Sequence, residues 1–121
     1  MVETGVDIVK ISRFEKYEND EKFLKKYFSS DEIKYILKKV KKVETMAGIF
    51  AAKEAVLKAF GIGIGYGMQL KEISINYTKS NKPFIEVDAK IQHYLNNLGC
   101  SSISISISHD GDYAVAFCVI N

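Results

Sequence analysis

The feature that most constrains the fold is a helix that is apolar on nearly every side. Residues 45–60 read Thr-Met-Ala-Gly-Ile-Phe-Ala-Ala-Lys-Glu-Ala-Val-Leu-Lys-Ala-Phe, and Gly61 follows them as a natural end for a helix. Because this segment has no broad polar face, other elements must pack against it from several directions. The sequence therefore predicts a long central helix with the rest of the chain folded around it.

The flanking segments are short and predict strands and small helices. Residues 2–9 are β-branched and suit a strand, whereas residues 10–43 are amphipathic at helical spacing, with Ser29 or Ser30 as an N-cap. Two hairpins with a helix between them complete the pattern. The first hairpin is predicted at 72–78 and 84–87, the helix at 88–98, and the second hairpin at 102–108 and 113–120. This order has no βαβ alternation and predicts an α+β fold with a mostly antiparallel sheet.

Size and charge limit the function classes. The chain has 121 residues and a mass of 13.6 kDa, which predicts one domain over 1–121. Its net charge of +2 argues against a nucleic-acid binder that relies on bulk charge. Charged residues interrupt 1–12, and no segment approaches the ~20 apolar residues of a membrane span. We therefore expect a cytoplasmic protein, with no membrane and no nucleic acid as partner, and with Cys100 and Cys118 reduced.

Two charged residues on the central helix require a chemical explanation. Phe50, Glu54 and Lys58 are spaced four residues apart and share one stripe, with Gly61 near the same face. Buried charge is costly unless it is paired or bound to a metal. The spacing fits two interpretations equally: an intrahelical pair between Glu54 and Lys58, or two charges that reach a ligand.

Asp7, His109 and a glycine-rich loop are weaker signals. Asp7 interrupts the first strand, either as a strand-end carboxylate facing Ser12 or as a ligand for a hard metal such as Mg²⁺. His109 precedes an Asp-Gly turn, where a surface histidine without function is the default. Glycine stands at every second position of 61–67 and would let backbone N–H groups approach phosphates, but the loop lacks the Walker pattern and follows a helix.

Taken together, these segments resemble one enzyme family. They occur in the order Gly5-Val6-Asp7-Ile8-Val9, then Phe50-Ala-Ala-Lys-Glu-Ala-Val-Leu-Lys-Ala-Phe-Gly61 with its Gly-Ile-Gly-Ile-Gly loop, and finally Ile107-Ser-His-Asp110 with Tyr113-Ala-Val-Ala116. From about residue 5 to its C-terminus, the chain resembles the small bacterial-type holo-[acyl-carrier-protein] synthases. The resemblance implies the 4′-phosphopantetheinyl transferase fold.

The resemblance also implies an enzyme and its reaction. The 4′-phosphopantetheine of coenzyme A is transferred to a serine of apo acyl carrier protein, adenosine 3′,5′-bisphosphate is released, and Mg²⁺ is required. The product supports fatty acid biosynthesis. Asp7 and Glu54 are the implied Mg²⁺ ligands, and Lys58 completes the implied catalytic set by stabilising charge on the pyrophosphate. The base that takes the serine proton stays open between a metal-bound water and the carboxylates of Glu54 and Asp7.

Coenzyme A has an implied pocket in this chain. His109 would contact the nucleotide part of coenzyme A, and further pocket residues would be Phe50, Lys53, Lys58, Gly61, Gly63 and Gly65. Ile49 departs from the family, whose members usually carry Arg at that position, so a cation near the coenzyme A site is lost.

Partner proteins are implied as well. Arg13, the single arginine, would contact the acidic helix of the carrier protein, with Lys22 and Lys26 as weaker matches. Family members of this size usually form homotrimers with each active site between neighbouring subunits. The alternating isoleucines at 103, 105 and 107 fit such an interface or an intramolecular core equally well.

Two other hypotheses remain, and the sequence disfavours both. One is a non-catalytic module that binds RNA or an acidic protein through the lysines of 38–42. It has little support because the chain carries one arginine, no aromatic residue within that run and almost no net charge. The other is a family member without activity, which the presence of Asp7, Glu54 and Lys58 argues against.

Overall fold

The computed structural model describes residues 2–63 and 67–121. Its longer elements, in chain order, are β1 (Glu3–Lys10), α1 (Glu21–Tyr27), α2 (Ser30–Lys38), α3 (Lys42–Phe60), β2 (Ile75–Tyr77), β3 (Pro83–Ile85), α4 (Ala89–Asn97), β4 (Ile103–Asp110) and β5 (Tyr113–Ile120). Two 3₁₀ helices, Ile11–Tyr17 and Leu70–Glu72, join β1 to α1 and lead into β2. The predicted α+β fold is confirmed.

Helix α3 is the centre of the structure, as its sequence predicts. It packs against β1, β4 and β5 on one side and against α2 and the first 3₁₀ helix on others. Most of its residues from Met46 to Phe60 are buried. The helix ends where Gly61 takes up a left-handed conformation with φ of 73°, which glycine adopts without steric cost.

Three strands form the larger sheet, in the order β1-β5-β4 with antiparallel neighbours. The first strand of the chain thus pairs with the last one. A two-residue turn of Gly111 and Asp112 joins β4 to β5, and Gly111 has the positive φ of 58° that a type II′ turn requires at this position. A second, two-stranded sheet pairs β2 with β3.

The two faces of the larger sheet differ in what covers them. Ile105 is buried on the inner face, and Ile103 and Ile107 pack against the same core, so the isoleucine row faces the interior of the chain. The opposite face exposes large apolar side chains, at 54% for Val6, 62% for Ile8, 48% for Tyr113 and 44% for Phe117. Val6 and Phe117 lie opposite each other in the register of β1 and β5.

Strand β1 approaches α3 closely enough to touch its backbone. A Cβ atom placed on Gly5 would lie 2.0 Å from the carbonyl oxygen of Ala55 and 2.6 Å from the backbone nitrogen of Ala59. Only glycine permits this approach. Because Asp7 follows Gly5 on the same strand, the contact places Asp7 next to the C-terminal half of α3.

The segment 10–43 is helical and has the predicted N-cap at Ser29, but it is divided further than its pattern indicates. It divides into a 3₁₀ helix and two short α-helices, and α2 already ends at Lys38. Asp20 and Ser29 cap the two α-helices by accepting hydrogen bonds from the backbone N–H groups of Phe23 and Glu32. Val40, which the helical spacing places on the apolar face, is 99% exposed in the turn before α3.

The second half of the chain follows its prediction more closely. Helix α4 begins where the helix over 88–98 was predicted to begin, and Asp88 caps it by accepting a hydrogen bond from the N–H of Ile91 at 2.9 Å. The β2–β3 hairpin is shorter than predicted: its paired strands cover 75–77 and 83–85, and a 3₁₀ helix over 70–72 precedes it. Among the described residues, no helix is long and apolar enough to span a membrane.

Candidate active site

Lys58 connects the end of α3 to strand β1. Its Nζ donates hydrogen bonds to Asp7 Oδ1 and to the carbonyl oxygen of Val6, each at 3.0 Å. Lys58 therefore pairs with Asp7 across two elements rather than with Glu54 along the helix. Two of the three predicted catalytic residues are in direct contact.

Glu54 lies one turn before Lys58 and completes the predicted group. Burial raises the pKa of Glu54, and the nearby negative charge of Asp7 raises it further, whereas Lys58 and Arg13 act in the opposite direction. Two carboxylates and two cations thus share one region of the surface. The two carboxylates repel each other, and this repulsion favours a cation placed between Asp7 and Glu54.

Asp7 and Glu54 form a donor set that suits Mg²⁺. This ion takes near-octahedral oxygen coordination, and it is usually held by one or two carboxylates together with waters and substrate phosphate oxygens. Within 2–63 and 67–121, no group of three or more His, Cys, Asp or Glu side chains could hold a metal by itself. Two carboxylates therefore fit an ion that shares its coordination shell with a phosphate substrate, and they do not fit a closed structural site.

An aromatic cavity of about 380 Å³ opens beside Glu54. Arg13 lies at this cavity, with its guanidinium 5.2 Å from the ring centre of Phe14 and 5.6 Å from that of Phe50. The remaining lining residues are Lys16, Tyr17, Phe23, Tyr27 and Leu70. The structure thus brings Arg13, Phe50 and Glu54 together. The spacing of the aromatic residues of 14–28 predicted only a helical apolar face, since helical spacing does not distinguish a cavity wall from a core.

His109 lies elsewhere on the molecule, near the N-terminal half of α3. Its Nε2 is 3.1 Å from the carbonyl oxygen of Glu44, and its Nδ1 is 3.9 Å from Glu44 Oε1. Because a carbonyl oxygen only accepts, Nε2 carries the hydrogen. Gly48 makes room for the ring, since a Cβ atom there would be 2.8 Å from Nε2.

A second cavity, of about 270 Å³, adjoins His109. Its other lining residues are Tyr35, Lys39, Thr45, Tyr77, Asn81, Pro83 and Ile107, none of which lines the aromatic cavity beside Glu54. Ten residues of α3 separate Glu44, the partner of His109, from Glu54, which corresponds to about 15 Å along a helix. Within one chain, the structure does not bring His109 together with Asp7 and Glu54.

Lys53 is fully buried and does not reach either cavity. It forms an ion pair with Glu32, and both side chains have 0% exposure. Glu32 also accepts hydrogen bonds from the backbone N–H groups of Ser29 and Ile75, both at 2.8 Å. Burial lowers the pKa of Lys53 to about 8, although the charge of Glu32 opposes this shift. The ammonium of Lys53 is therefore engaged in the interior, beneath the aromatic residues of the site.

Glu32 was not predicted as the partner of Lys53, although a local signal in the sequence marks it. Ser29 and Glu32 have the spacing of a capping box, and the structure contains both of its reciprocal hydrogen bonds. The ring of Phe28 lies 5.0 Å from Lys53 Nζ, and its centre is 6.4 Å from that of Phe50. The buried pair is thus linked to the wall of the aromatic cavity through Phe28.

The remaining predicted site residues that the structure describes lie at the surface. Gly61 and Gly63 are exposed after α3, and Gly65 lies outside the described residues. Lys22 and Lys26 are exposed on α1, where Lys26 Nζ lies 5.2 Å from the ring centre of Tyr27. Ile49, at the position where the family usually carries Arg, is fully buried.

Comparisons with known proteins show the family of the chain. Residues 3–118 match the model of the 4′-phosphopantetheinyl transferase superfamily. A holo-[acyl-carrier-protein] synthase of Treponema denticola is 38% identical over 117 residues, which cover 96% of this chain and 94% of that protein.

Solved structures show the same relationship. The holo-[acyl-carrier-protein] synthase of Neisseria meningitidis superposes with a TM-score of 0.88 at 29% identity, covering 100% of this chain and 99% of that one. The synthase of Helicobacter pylori, solved in complex with coenzyme A, gives a TM-score of 0.83 at 35% identity, with 98% and 99% coverage. The chain belongs to the 4′-phosphopantetheinyl transferase superfamily of enzymes, and within it to the holo-[acyl-carrier-protein] synthases.

Proposed function

We propose that this protein transfers 4′-phosphopantetheine from coenzyme A to a serine of apo acyl carrier protein. The observation that carries the proposal is the convergence of Asp7, Glu54 and Lys58 in a chain that matches the family over nearly its full length. The serine oxygen forms a bond to the β-phosphorus of coenzyme A. The bond from that phosphorus to the bridging oxygen breaks, and adenosine 3′,5′-bisphosphate leaves.

Electrostatic stabilisation is the main task of the site in this reaction. The attacked phosphorus belongs to a pyrophosphate whose negative charge repels an incoming oxygen, so positive charge near it lowers the barrier. Asp7 and Glu54 would hold Mg²⁺, which when bound would neutralise phosphate charge as a Lewis acid. Lys58, whose side chain is 54% exposed, would extend from the end of α3 to the leaving pyrophosphate oxygens.

The serine proton needs an acceptor, and Glu54 is a candidate among the protein groups. In the metal-free site burial raises the pKa of Glu54, but a carboxylate that holds Mg²⁺ is a weaker base, so a metal-bound water and Asp7 stand beside Glu54 as acceptors.

Coenzyme A would contact residues near both ends of α3. Phe50 at the aromatic cavity and the exposed Gly61 and Gly63 would shape the pocket near the reacting phosphates. Gly65 belongs to the same proposal on the basis of the sequence alone. His109, held by Glu44 at its own cavity, would contact the nucleotide. Lys53 would act only from within, because its charge is fully buried.

The carrier protein would dock beside the aromatic cavity. Arg13 is exposed and lies against Phe14 and Phe50, so its cation is close to the proposed reaction centre. Lys22 and Lys26 are exposed on α1. These three cations would pair with acidic side chains on a helix of the carrier protein, which would place its serine near Glu54.

A homotrimer would explain two further observations. The outer face of the β1-β5-β4 sheet exposes Val6, Ile8 and Phe117, and apolar patches of this kind mark interaction surfaces. His109 and Glu54 are also separated within the chain. An active site built from His109 of one subunit and Glu54 of a neighbour would bring the two together. A role in fatty acid biosynthesis and a cytoplasmic location remain predictions made from the sequence.

Incubation with coenzyme A, Mg²⁺ and an apo carrier protein tests the function. We expect intact-mass spectrometry to show one phosphopantetheine added to the carrier, and adenosine 3′,5′-bisphosphate as the second product. Absence of the adduct, with a folded enzyme and a carrier that another transferase can modify, would contradict the proposal.

Glu54→Gln tests the site within the same assay. The substitution removes one of the two carboxylates proposed to hold the metal, so we expect at least a hundredfold loss of turnover at ordinary Mg²⁺ with an unchanged circular dichroism spectrum. The matched control is Glu86→Gln, which alters an exposed carboxylate bonded to Asn76 and should retain wild-type turnover. Normal turnover of Glu54→Gln would remove Glu54 from the mechanism.

A further inference from the structure

Lys58 forms an ion pair with Asp7, one of the two carboxylates proposed to hold the metal. Its ammonium lies 3.0 Å from Asp7 Oδ1 and is fixed a second time by the carbonyl oxygen of Val6 at 3.0 Å. The side chain of Asp7 is only 15% exposed, so little of its charge is screened by solvent. Lys58 is thus the counter-cation of Asp7 in this structure.

This contact conflicts with direct metal binding at the same oxygen. An ammonium and a divalent ion repel each other at contact distance, and the repulsion is large where solvent screening is weak. A divalent cation that binds between Asp7 and Glu54 would therefore compete with Lys58 for Asp7. The conflict ends when the ammonium moves away from the carboxylate.

The structure permits Lys58 to move at little cost. Its side chain is 54% exposed, and it belongs to the last turn of α3, where the helix dipole favours a nearby cation. Because more than half of the lysine side chain is exposed, water compensates for part of the contact when the ammonium leaves, although Asp7 itself is largely covered, and the four-carbon stem can carry the ammonium several ångströms. Arg13 lies close enough to Glu54 to influence its charge. The site therefore keeps a cation near Glu54 after Lys58 leaves Asp7.

We propose that Lys58 is a displaceable counter-cation of Asp7, which a divalent metal ion replaces and thereby releases toward the phosphate substrate. The inference rests on the metal ligands of the proposed function and adds an order of events to it. Before the metal binds, the ammonium of Lys58 is paired with Asp7. It becomes available to the pyrophosphate only after the metal has replaced it. Lys58 then opposes binding of the metal alone, although it favours the reaction.

Mn²⁺ binding in the absence of coenzyme A and carrier protein tests the proposal without any turnover. Free Mn²⁺ is measured by electron paramagnetic resonance as wild-type enzyme and Lys58→Met are titrated. Methionine keeps most of the length of lysine and removes its charge. We expect Lys58→Met to bind Mn²⁺ about three- to tenfold more tightly than wild type, because it loses both the competitor and its repulsion. The same variant should lose transferase activity.

Lys90→Met is the matched control. Lys90 is also a partly exposed lysine that pairs with a carboxylate, that of Glu72, so the variant changes the net charge equally but leaves Asp7 occupied. We expect wild-type Mn²⁺ affinity for it. Lys58→Gln, a second uncharged variant, should repeat the result of Lys58→Met if the latter folds poorly by circular dichroism.

Three outcomes would overturn the proposal. Lys58→Met could bind Mn²⁺ no more tightly than wild type, or Lys90→Met could gain as much affinity as Lys58→Met. The proposal would also be overturned if wild type, Lys58→Met and Lys58→Gln all showed no measurable Mn²⁺ binding. Failure of the carrier-protein assay is a separate result, since it concerns transfer and leaves the competition between Lys58 and Mn²⁺ measurable.

Discussion

At the scale of single residues, the most expensive arrangement is the buried pair of Glu32 and Lys53. Two charges removed from water need each other and further hydrogen bonds to compensate for lost hydration. Glu32 meets this need with Lys53 and with the backbone N–H groups of Ser29 and Ile75. The pair therefore joins α2, α3 and β2 at a point next to Glu54 in the sequence.

Glu32→Gln tests how much of the stability depends on this pair. The substitution leaves the ammonium of Lys53 buried without a countercharge, so we expect the free energy of unfolding to fall by about 3–5 kcal/mol. Urea unfolding followed by circular dichroism measures the change. Adding Lys53→Met to Glu32→Gln removes the orphaned charge and should restore most of the loss.

The exposed variant Glu86→Gln provides the control for Glu32→Gln, and it should change the stability by no more than about 0.5 kcal/mol. If Glu32→Gln unfolded at the same urea concentration as this control, the buried charge of Lys53 would have another compensation.

At the scale of elements, the packing of β1 on α3 determines where the site forms. Gly5 lets the two backbones touch, and Asp7 and Lys58 then meet across the same junction. The side chain of Thr4, the neighbouring residue on β1, points away from α3 and is exposed. Adjacent positions of the strand thus differ: Gly5 has no room for a Cβ atom, whereas the side chain of Thr4 is exposed.

Gly5→Ala should therefore be much more harmful than Thr4→Ala. The new Cβ would overlap backbone atoms of Ala55 and Ala59, which cannot rotate away, so we expect a loss of about 3 kcal/mol or more. Thr4→Ala should cost less than about 1 kcal/mol. Thermal unfolding of both variants measures the difference. Equal melting temperatures would show that β1 and α3 can separate without cost.

Local signals made most elements predictable, whereas long-range pairs were not. Gly61 marks the end of α3 and Asp88 the start of α4, because a helix end and a cap depend on a few adjacent residues. The pairing of Lys58 with Asp7 joins residues 51 positions apart, and that of Lys53 with Glu32 joins residues 21 apart. Spacing along one helix could indicate that charges needed partners, but only the packing of elements decides which partners they find.

At the scale of the whole molecule, two cavities beside different parts of α3, its middle and its N-terminal end, each hold part of the proposed site. Glu54, Phe50 and Arg13 surround one, and His109 lies at the other. The outer sheet face, with Val6 and Phe117, provides an apolar surface on which a second copy could pack. A closed ring of three copies repeats one head-to-tail contact, and such a contact would allow the His109 cavity of each copy to lie beside the Glu54 cavity of the next.

Mixing two inactive variants tests this composite site. Glu54→Gln lacks one half of each site and His109→Ala the other, so each homotrimer should transfer poorly at coenzyme A concentrations below saturation. When equal amounts are unfolded in urea and refolded together, random assembly should pair an intact Glu54 with a neighbour's intact His109 in about a quarter of the sites. We expect about a quarter of the wild-type transfer rate, with light scattering reporting three times the mass of one chain. Refolding the two variants separately and then combining them briefly serves as the control, since subunits that have not exchanged should give no gain. A trimer that regained no activity after joint refolding would place His109 and Glu54 in the same chain's site, and a monomer by light scattering would exclude the shared site altogether.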